Sequence, residues 1–332
     1  MRALVAALAL ALVTAGCSGS DDPPTAEPTS ADPSPSESTS ESTSESSGPA
    51  EVTELDAGPV GVADVGGEAW TVLLDDGTVR TGDDTRIDVG NDPLRIVDTP
   101  DGAWVSVISD GTIVRINPAT GKVDRTVTLK PAGSEPEGLA WDGTNLWVVD
   151  QAHDRVVALD ADGGHPVGFR VDDEPRLVSA GTAGVFVANY RGSSVSRVRE
   201  SPQARGLPSV TTAPLVGCVG PQGIAQAGGK VWIACTLSSK VVALDPDSLK
   251  QVVEIPDVAD ADAVVADGDT VYAVGQSGPT VWVIDAASGK VRDTIVLSDA
   301  MATRENVSAA IVGADLVVTH PDEQKIYTLP IP

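Results

Sequence analysis

Histidine and cysteine are the residues of this sequence best suited to acid–base, nucleophilic or metal chemistry at neutral pH, and both are scarce. The three histidines, His153, His165 and His320, lie far apart, and none has a second His or a Cys at metal-ligand spacing. The chain contains no His-Glu-x-x-His and no Gly-x-Ser-x-Gly motif. The residues therefore predict no catalytic group and no cofactor, although a divalent metal remains an unsupported alternative.

Cys17, the first of the three cysteines, ends an apolar segment at the N-terminus. Met-Arg is followed by an apolar run from Ala3 to Val13 and then by Thr-Ala-Gly-Cys, and these are the three parts of an export signal. The run is shorter than the ~20 residues that span a bilayer. Its end resembles the lipobox of bacterial lipoproteins, which implies cleavage before Cys17, acylation of Cys17 by palmitate-type chains, and anchoring to the cell membrane. An ordinary signal peptide with an incidental cysteine is the alternative.

A predicted tether follows the signal. Residues 18–50 contain seven acidic residues, no Lys or Arg and almost no apolar side chains. Such a segment cannot bury enough surface to offset the entropy of ordering, and its like charges extend it. We therefore expect a signal peptide over 1–16, a lipidated and disordered stalk over 17–50, and one folded domain over 51–332.

The charge of the chain limits its partners. The net charge is −26, and residues 51–332 carry 41 acidic and 21 basic side chains, a net charge of −20. This balance disfavours nucleic acid and anionic lipid as partners. The Asp-rich turns at 75–76, 172–174 and 257–269 do not have the spacing of an EF-hand loop, so we interpret them as a solvated acidic surface.

A repeat of about 40 residues fills the folded domain. Residues 137–150 read EGLAWDGTNLWVVD, with RVVALD at 155–160, and residues 222–235 read QGIAQAGGKVWIAC, with KVVALD at 240–245. One large apolar residue marks the second strand of each unit: Trp70, Trp104, Trp147, Phe186, Trp232, Tyr272 and Leu316. Several short strands in each unit of this length predict a β-propeller.

Counting the units predicts an all-β, seven-bladed β-propeller with four-stranded blades. The last unit stops at Pro332 after about three strands, whereas residues 51–56 form one spare strand before the first complete unit. Pairing that spare strand as the outer strand of the terminal blade closes the ring and removes an unpaired edge. Six and eight blades remain alternatives, because the first and seventh units match the repeat least.

The pattern Pro-x-Gly-[Ile/Leu]-Ala, then Trp-[Val/Ile], then Val-Val-Ala-Leu-Asp resembles the YncE-like and virginiamycin B lyase-like propeller superfamily, which is close to NHL repeats. The resemblance extends over most of residues 57–332 and implies the fold, but it implies little about function, because these propellers host unrelated activities. The streptogramin lyases of the similar family use paired His and a Glu with a bound divalent metal. This sequence lacks matching His positions in its later blades, so that activity does not follow from the resemblance.

Cys218 and Cys235 are expected to form a disulfide. Cys218 lies just before one predicted inner strand, Cys235 ends the strand paired with it, and a turn at 227–229 brings the two close in register. An exported protein also occupies a compartment in which disulfides persist. Two free thiols are the alternative, and no Cys-x-x-Cys motif suggests a redox role.

Polar residues gather on one face of the predicted propeller, which we call the top face. It consists of the loops that precede each inner strand and follow each second strand. Five side chains are expected around the mouth of the central channel: Arg95, Glu137, Arg176, Gln222 and Asn306. Neighbouring loops add Gln151, His153, Asp154, Asn189, Tyr190, Arg191, Arg304 and His320. Convergent polar groups at a concave mouth predict a ligand site, although exposed loops are polar in any propeller.

Together these features favour a binding or scaffold module at the cell surface. A rigid platform of several loops, without a catalytic constellation, suits a protein, an envelope component or a small molecule as ligand. The alternative is a metal-dependent lyase or lactonase-type enzyme of the propeller superfamily.

Overall fold

The structure is a computed structural model that describes residues 50–200, 208–303 and 306–331. The predicted signal peptide, Cys17 and the stalk up to residue 49 lie outside the described residues, as does Arg304. In the part of the chain that is described, no helix is both long and apolar enough to serve as a membrane span.

The described residues form seven four-stranded antiparallel sheets, each of which is one blade, so the predicted seven-bladed propeller is confirmed. The inner strands, in blade order, are β2 (Pro59–Val65), β6 (Pro93–Thr99), β10 (Pro136–Trp141), β14 (Pro175–Gly181), β18 (Pro221–Ala227), β22 (Ala261–Asp267) and β26 (Ser308–Val312). The second strands are β3 (Glu68–Leu73), β7 (Gly102–Val107), β11 (Asn145–Asp150), β15 (Gly184–Asn189), β19 (Lys230–Cys235), β23 (Thr270–Gly275) and β27 (Asp315–His320). The third strands are β4 (Thr78–Arg80), β8 (Thr112–Asn117), β12 (Arg155–Asp160), β16 (Ser194–Glu200), β20 (Lys240–Leu244), β24 (Thr280–Asp285) and β28 (Lys325–Pro330). The outer strands are β5 (Arg86–Asp88), β9 (Lys122–Thr128), β13 (Val167–Arg170), β17 (Pro208–Pro214), β21 (Gln251–Pro256), β25 (Val291–Val296) and, in the seventh blade, β1 (Glu51–Glu54).

The ring closes through the seventh blade. Inner strands of successive blades lie side by side, and β26 packs against β2. β1 pairs antiparallel with β28, with Glu51 opposite Thr328 and Glu54 opposite Lys325. The first strand of the domain therefore completes the last blade, as the sequence predicted, and the pairing leaves β28 without a free edge.

The large apolar residue of each second strand is a contact between neighbouring blades. Trp104 on β7 packs with Leu146 and Val148 on β11, and Trp232 on β19 packs with Val271 on β23. The seven marker residues are all between 0% and 7% exposed. Burying a side chain of this size contributes ~1.5–3 kcal/mol. The repeat has its period because each blade covers the apolar face of the next.

The Pro-x-Gly pattern reflects how the inner strands begin. The register between β10 and β11 shifts between Pro136 and Leu139, so a bulge adds one residue to β10 and redirects the Glu137 side chain. A Cβ atom on Gly138 would lie 2.6 Å from the carbonyl oxygen of Arg176, so only glycine fits against the next inner strand. Similar register shifts occur in β2, β6, β14, β18 and β22.

The predicted disulfide between Cys218 and Cys235 is present. Cys235 ends β19 opposite Pro221, so the bond ties the loop before β18 to the end of the neighbouring strand. In the third blade Asp150 has the equivalent position, and its Oδ1 accepts a hydrogen bond of 3.0 Å from the Glu135 amide. Both blades fasten the same two segments, one through a covalent bond and the other through a buried carboxylate.

Replacing both disulfide cysteines, Cys218→Ser with Cys235→Ser, should lower the free energy of unfolding by ~3 kcal/mol. The cysteines are 17 residues apart, and the chain-entropy model assigns about this value to a loop of that length. Urea unfolding of the full chain measures the loss, and the reduced wild-type protein serves as the matched control. Equal unfolding midpoints for the oxidised, reduced and double-variant proteins would contradict the assignment.

Candidate functional site

The described residues line cavities at the lower end, the middle and the upper end of the central channel. The lower cavity, of about 680 Å³, lies at the ends of the inner strands, where Asp64, Asp98 and Trp141 form part of its wall. The middle cavity, of about 150 Å³, is lined mainly by aliphatic side chains. The upper cavity, of about 430 Å³, lies where the inner strands begin. Its lining includes Glu137, Arg176 and Asn306, which were predicted at the mouth, and Gln151, which was predicted in a neighbouring loop.

Six polar side chains, one from each of blades two to seven, occupy the upper ends of the inner strands and the residues just before them. We call them the mouth ring: Arg95, Glu137, Arg176, Gln222, Asp262 and Asn306. Arg95, Glu137, Gln222 and Asp262 are between 0% and 7% exposed. Charged groups this deeply buried need compensating charges and hydrogen bonds. Two arginines and two carboxyl groups supply the compensating charges within the ring.

Arg95 joins the second blade to the first and seventh blades. Its Nη2 donates a hydrogen bond of 3.0 Å to Oδ1 of Asn306, and its Nη1 donates to the carbonyl oxygen of Val60. Burial lowers the pKa of the Arg95 guanidinium, and the nearby carboxylates of Glu137 and Asp262 oppose that shift. Through its hydrogen bonds to Val60 and Asn306, Arg95 fixes the positions of the first and seventh blades at the mouth.

Arg176 is held in place by Glu174 and Tyr190. Its Nη2 donates a hydrogen bond of 2.9 Å to Oε1 of Glu174, and its guanidinium lies 4.8 Å from the ring centre of Tyr190. The exposed Arg191 pairs with the other oxygen of Glu174 at 2.6 Å. Nη1 of Arg176 is 3.7 Å from Oε1 of Glu137, which is an ion pair longer than an ordinary hydrogen bond.

Glu137 and Gln222 are the under-satisfied members of the ring. Glu137 is 1% exposed and Gln222 is 0% exposed. Within the described residues, neither carboxylate oxygen of Glu137 and neither amide atom of Gln222 has a hydrogen-bond partner. A buried polar group without a partner costs ~1–3 kcal/mol, so such groups mark places where a bound group can supply hydrogen bonds.

Burial raises the pKa of Glu137 from 4.5 to about 7. The positive charges of Arg176 and Arg95 act in the opposite direction, while Asp262 adds to the rise. Removal of the carboxylate from water therefore outweighs the attraction of both arginines. Glu137 changes its charge close to neutral pH, inside the upper cavity.

The loop residues predicted beside the mouth lie at different depths. Gln151 lines the upper cavity. His153 lies in the same short 3-10 helix as Gln151, and its Nδ1 is 3.1 Å from Oδ1 of the buried Asp150. Oδ1 of Asp154 accepts a hydrogen bond of 3.2 Å from the amide of Glu174, so it supports the residue that holds Arg176.

Asn189 and His320, which were expected in loops beside the mouth, lie at the ends of strands β15 and β27 instead. Both are fully buried at the ends of second strands. Nδ2 of Asn189 donates to the hydroxyl oxygens of Ser194 (2.9 Å) and Ser196 (3.0 Å). Nε2 of His320 lies 2.9 Å from the carbonyl oxygen of Gln276 in the preceding blade. These side chains hold strands and blades together.

Asp262 belongs to the ring although the sequence analysis missed it. Its Oδ2 accepts a hydrogen bond of 3.3 Å from the amide of Asn306. The sixth blade begins with Ala261 instead of proline, so the Pro-x-Gly signal is absent there. The register of the repeat was the available signal, because Asp262 occupies the position of Glu137 and Gln222.

An exposed apolar platform flanks the ring on the top face. Val216, Val219 and Leu237 are 80%, 47% and 62% exposed, and they lie in the two loops that the disulfide joins. The amide of Leu237 donates a hydrogen bond of 3.1 Å to the carbonyl oxygen of Val219, and the Val219 amide donates to Ser238 Oγ at 3.0 Å. The cross-link and these hydrogen bonds present three apolar side chains on a fixed backbone.

The fold and the channel define a seven-bladed β-propeller with a charged upper mouth. No protein-family model matches the sequence. No curated protein matches it either.

Solved structures with this fold include virginiamycin B lyases. A catalytically inactive histidine-to-alanine variant of the Staphylococcus aureus enzyme with quinupristin has a TM-score of 0.71 and 16% identity, covering 85% of this chain and 100% of that chain. The selenomethionine-substituted enzyme from the same organism has a TM-score of 0.71 and 15% identity, covering 85% and 100%. A streptogramin B lyase structure has a TM-score of 0.71 and 15% identity, covering 85% and 97%. At these identities the likeness establishes the fold alone.

The substitution Glu137→Gln should remove a pH-dependent loss of stability. The folded state binds the Glu137 proton more tightly than the unfolded state, so stability falls as pH rises from about 4.5 to about 7 and levels off above that. The neutral amide does not titrate, so the variant should be more stable than wild type by ~3 kcal/mol at pH 8 and similar at pH 4.5. Urea unfolding at pH 4.5, 6, 7 and 8 measures the difference. Glu54→Gln on the exposed outer strand is the matched control, and parallel pH profiles for wild type and Glu137→Gln would contradict the assignment.

Proposed function

We propose that this protein is a binding module whose mouth ring receives a polar group of a protein or envelope ligand. The observation that carries the proposal is the buried carboxyl group of Glu137, which lines a cavity of about 430 Å³ and whose oxygens have no hydrogen-bond partner among the described residues. A cavity of this size accommodates a side chain or a small polar moiety. The two arginines keep the ring in place before a ligand arrives, and this preorganisation reduces the entropy lost on binding.

The apolar platform supports a macromolecular ligand over a free small molecule. Val216 and Leu237 are more than half exposed and lie on a cross-linked backbone. Rigid apolar side chains rimmed by polar residues are typical of protein interaction sites. A ligand that covers the platform while inserting one group into the upper cavity would use both features of the top face.

The location of the module is part of the proposal. The segment before Cys17, with its resemblance to a lipobox, supports export and lipidation, and the acidic stalk over 17–50 supports display of the domain away from the membrane. The negative charge of the domain favours ligands other than nucleic acid or anionic lipid.

A metal-dependent lyase or lactonase-type enzyme is the alternative function. The likeness of fold to virginiamycin B lyase is the observation in its favour. Among the described residues, no group of three or more His, Cys, Asp and Glu could hold a metal ion. Metal analysis of the purified full chain separates the two functions, because one divalent ion per chain would favour the enzyme.

Site-specific photo-crosslinking tests the binding function in the cells that produce the protein. A photoreactive phenylalanine derivative replaces Gln151, which lines the upper cavity, in the full chain. We expect one discrete adduct on irradiation, and we expect the added substitution Glu137→Gln to reduce its yield about tenfold, because the polar contact is lost.

The matched control carries the same photoreactive residue at Val52, an exposed position on the outer strand β1. Adducts that are identical at positions 151 and 52, or that form equally well with Glu137→Gln, would contradict a ligand site at the mouth.

A further inference from the structure

The guanidinium groups that surround Glu137 direct their short hydrogen bonds to other partners, and only Arg176 makes a long, weak contact with its carboxylate. Arg95 directs its two terminal nitrogens to Asn306 and to the first blade, and Nη1 of Arg176 stays 3.7 Å from Oε1 of Glu137. Both carboxylate oxygens of Glu137 and Oε1 of Gln222 therefore keep their acceptor capacity within the described residues. A ligand that uses these atoms must donate hydrogen bonds.

The carboxyl groups around the upper cavity determine which charge a ligand should have. The lining includes three carboxyl groups, on Asp92, Glu135 and Glu137, and one guanidinium, on Arg176. Asp92 and Glu135 are exposed at its rim, where they attract cations and repel anions. The donor that enters this cavity is therefore favoured when it carries a positive charge.

The apolar part of the lining indicates what the charged group is attached to. Leu74, Leu94 and Ile108 form one wall of the same cavity. Leu94 is 7% exposed, and the other two are partly buried. Aliphatic side chains offer favourable contact to a methylene chain, because burial removes its apolar surface from water.

Resting on the proposed function, we propose that the upper cavity binds an alkylammonium group. The ammonium nitrogen donates hydrogen bonds to Glu137, and the alkyl chain lies against Leu74, Leu94 and Ile108. A lysine side chain of a protein ligand and a free aliphatic amine share this chemistry. A primary ammonium group has three N–H donors, and the carboxylate oxygens of Glu137 are acceptors in the lining of this cavity.

Binding of an ammonium group requires the Glu137 carboxylate, so it should strengthen as pH rises. The pKa of Glu137 is about 7, and the charged groups that face it are Arg95, Arg176 and Asp262. When the carboxyl group is protonated before binding, its proton goes to solvent as the ammonium binds. Alkylammonium ions stay protonated at these pH values. Affinity should therefore rise about tenfold from pH 6 to pH 8.

Isothermal titration of the full chain with three four-carbon probes tests the ligand class. The probes are n-butylammonium chloride, 1-butanol and sodium butyrate, which share the alkyl chain and differ in charge. We expect n-butylammonium to bind at pH 8 about tenfold or more tightly than the other two, because of its charge and donors. A short peptide with a central lysine and its acetyl-lysine counterpart then distinguish the sources. Tighter binding of the lysine peptide than of n-butylammonium assigns the site to a protein lysine, and equal binding assigns it to a free amine.

Two variants locate the binding. Glu137→Gln, which preserves shape, should lower n-butylammonium affinity about tenfold and abolish the rise with pH. Glu54→Gln, which removes the same charge from the outer strand, should change it less than about threefold.

Failure of this inference differs from failure of the binding function. If butanol or butyrate binds as tightly as n-butylammonium, or if no probe binds while position 151 still crosslinks, the ligand class is wrong and the binding function stands. If no probe binds and position 151 gives no specific adduct, both are wrong.

Discussion

The close approach of seven inner strands at the channel is the constraint on which the rest of this structure depends. At Gly138, near the start of β10, the backbone of the next blade lies so close that a Cβ atom has no room. The bulge that includes this contact redirects the Glu137 side chain toward the channel. The geometry that closes the ring thus also gathers polar side chains at the upper mouth. Fold and candidate site have the same physical origin.

A charged cluster in this position can exist only if its members compensate one another. The two arginines are buried or stacked and hydrogen-bonded, and they balance the charges of Glu137 and Asp262. The compensation is incomplete at Glu137, where burial outweighs both arginines and raises the pKa to about 7. Natural sequences seldom keep a buried polar group unsatisfied without a role for it. This imbalance is why we propose that the site binds a ligand.

The sequence predicted the fold well because the repeat is itself a packing signal. The large residue on a second strand packs against a neighbouring blade, toward the next blade for Trp104 and Trp232 and toward the preceding one for Leu316, so the period of the apolar positions predicted the repeat, and the spare first strand predicted how the ring closes. The same register located Glu137 and Gln222 and placed Cys218 beside Cys235. Asp262 was missed in a blade whose inner strand begins with alanine, without the proline that begins the inner strands of the first five blades. The signal segment and Cys17 remain predictions, since they lie outside the described residues.

Burial at the strand ends could not be predicted in the same way. Asn189 and His320 end second strands near the top face, and from sequence such positions are indistinguishable from exposed loop residues. His320 is covered because a carbonyl group from the preceding blade, at Gln276, lies against its ring. Asn189 is covered because two serines of the neighbouring strand bind its amide. Both facts depend on contacts with other strands that a repeat pattern does not encode.

The most direct measurement of the central claim is the titration of the Glu137 carboxyl carbon, followed by carbon-13 NMR with Glu137→Gln used for assignment. An under-compensated carboxyl group in a buried ring should titrate with a midpoint of about 7. A midpoint near the ordinary value of 4.5 would show that the ring satisfies Glu137 fully, and it would contradict the account of the mouth as a ligand site.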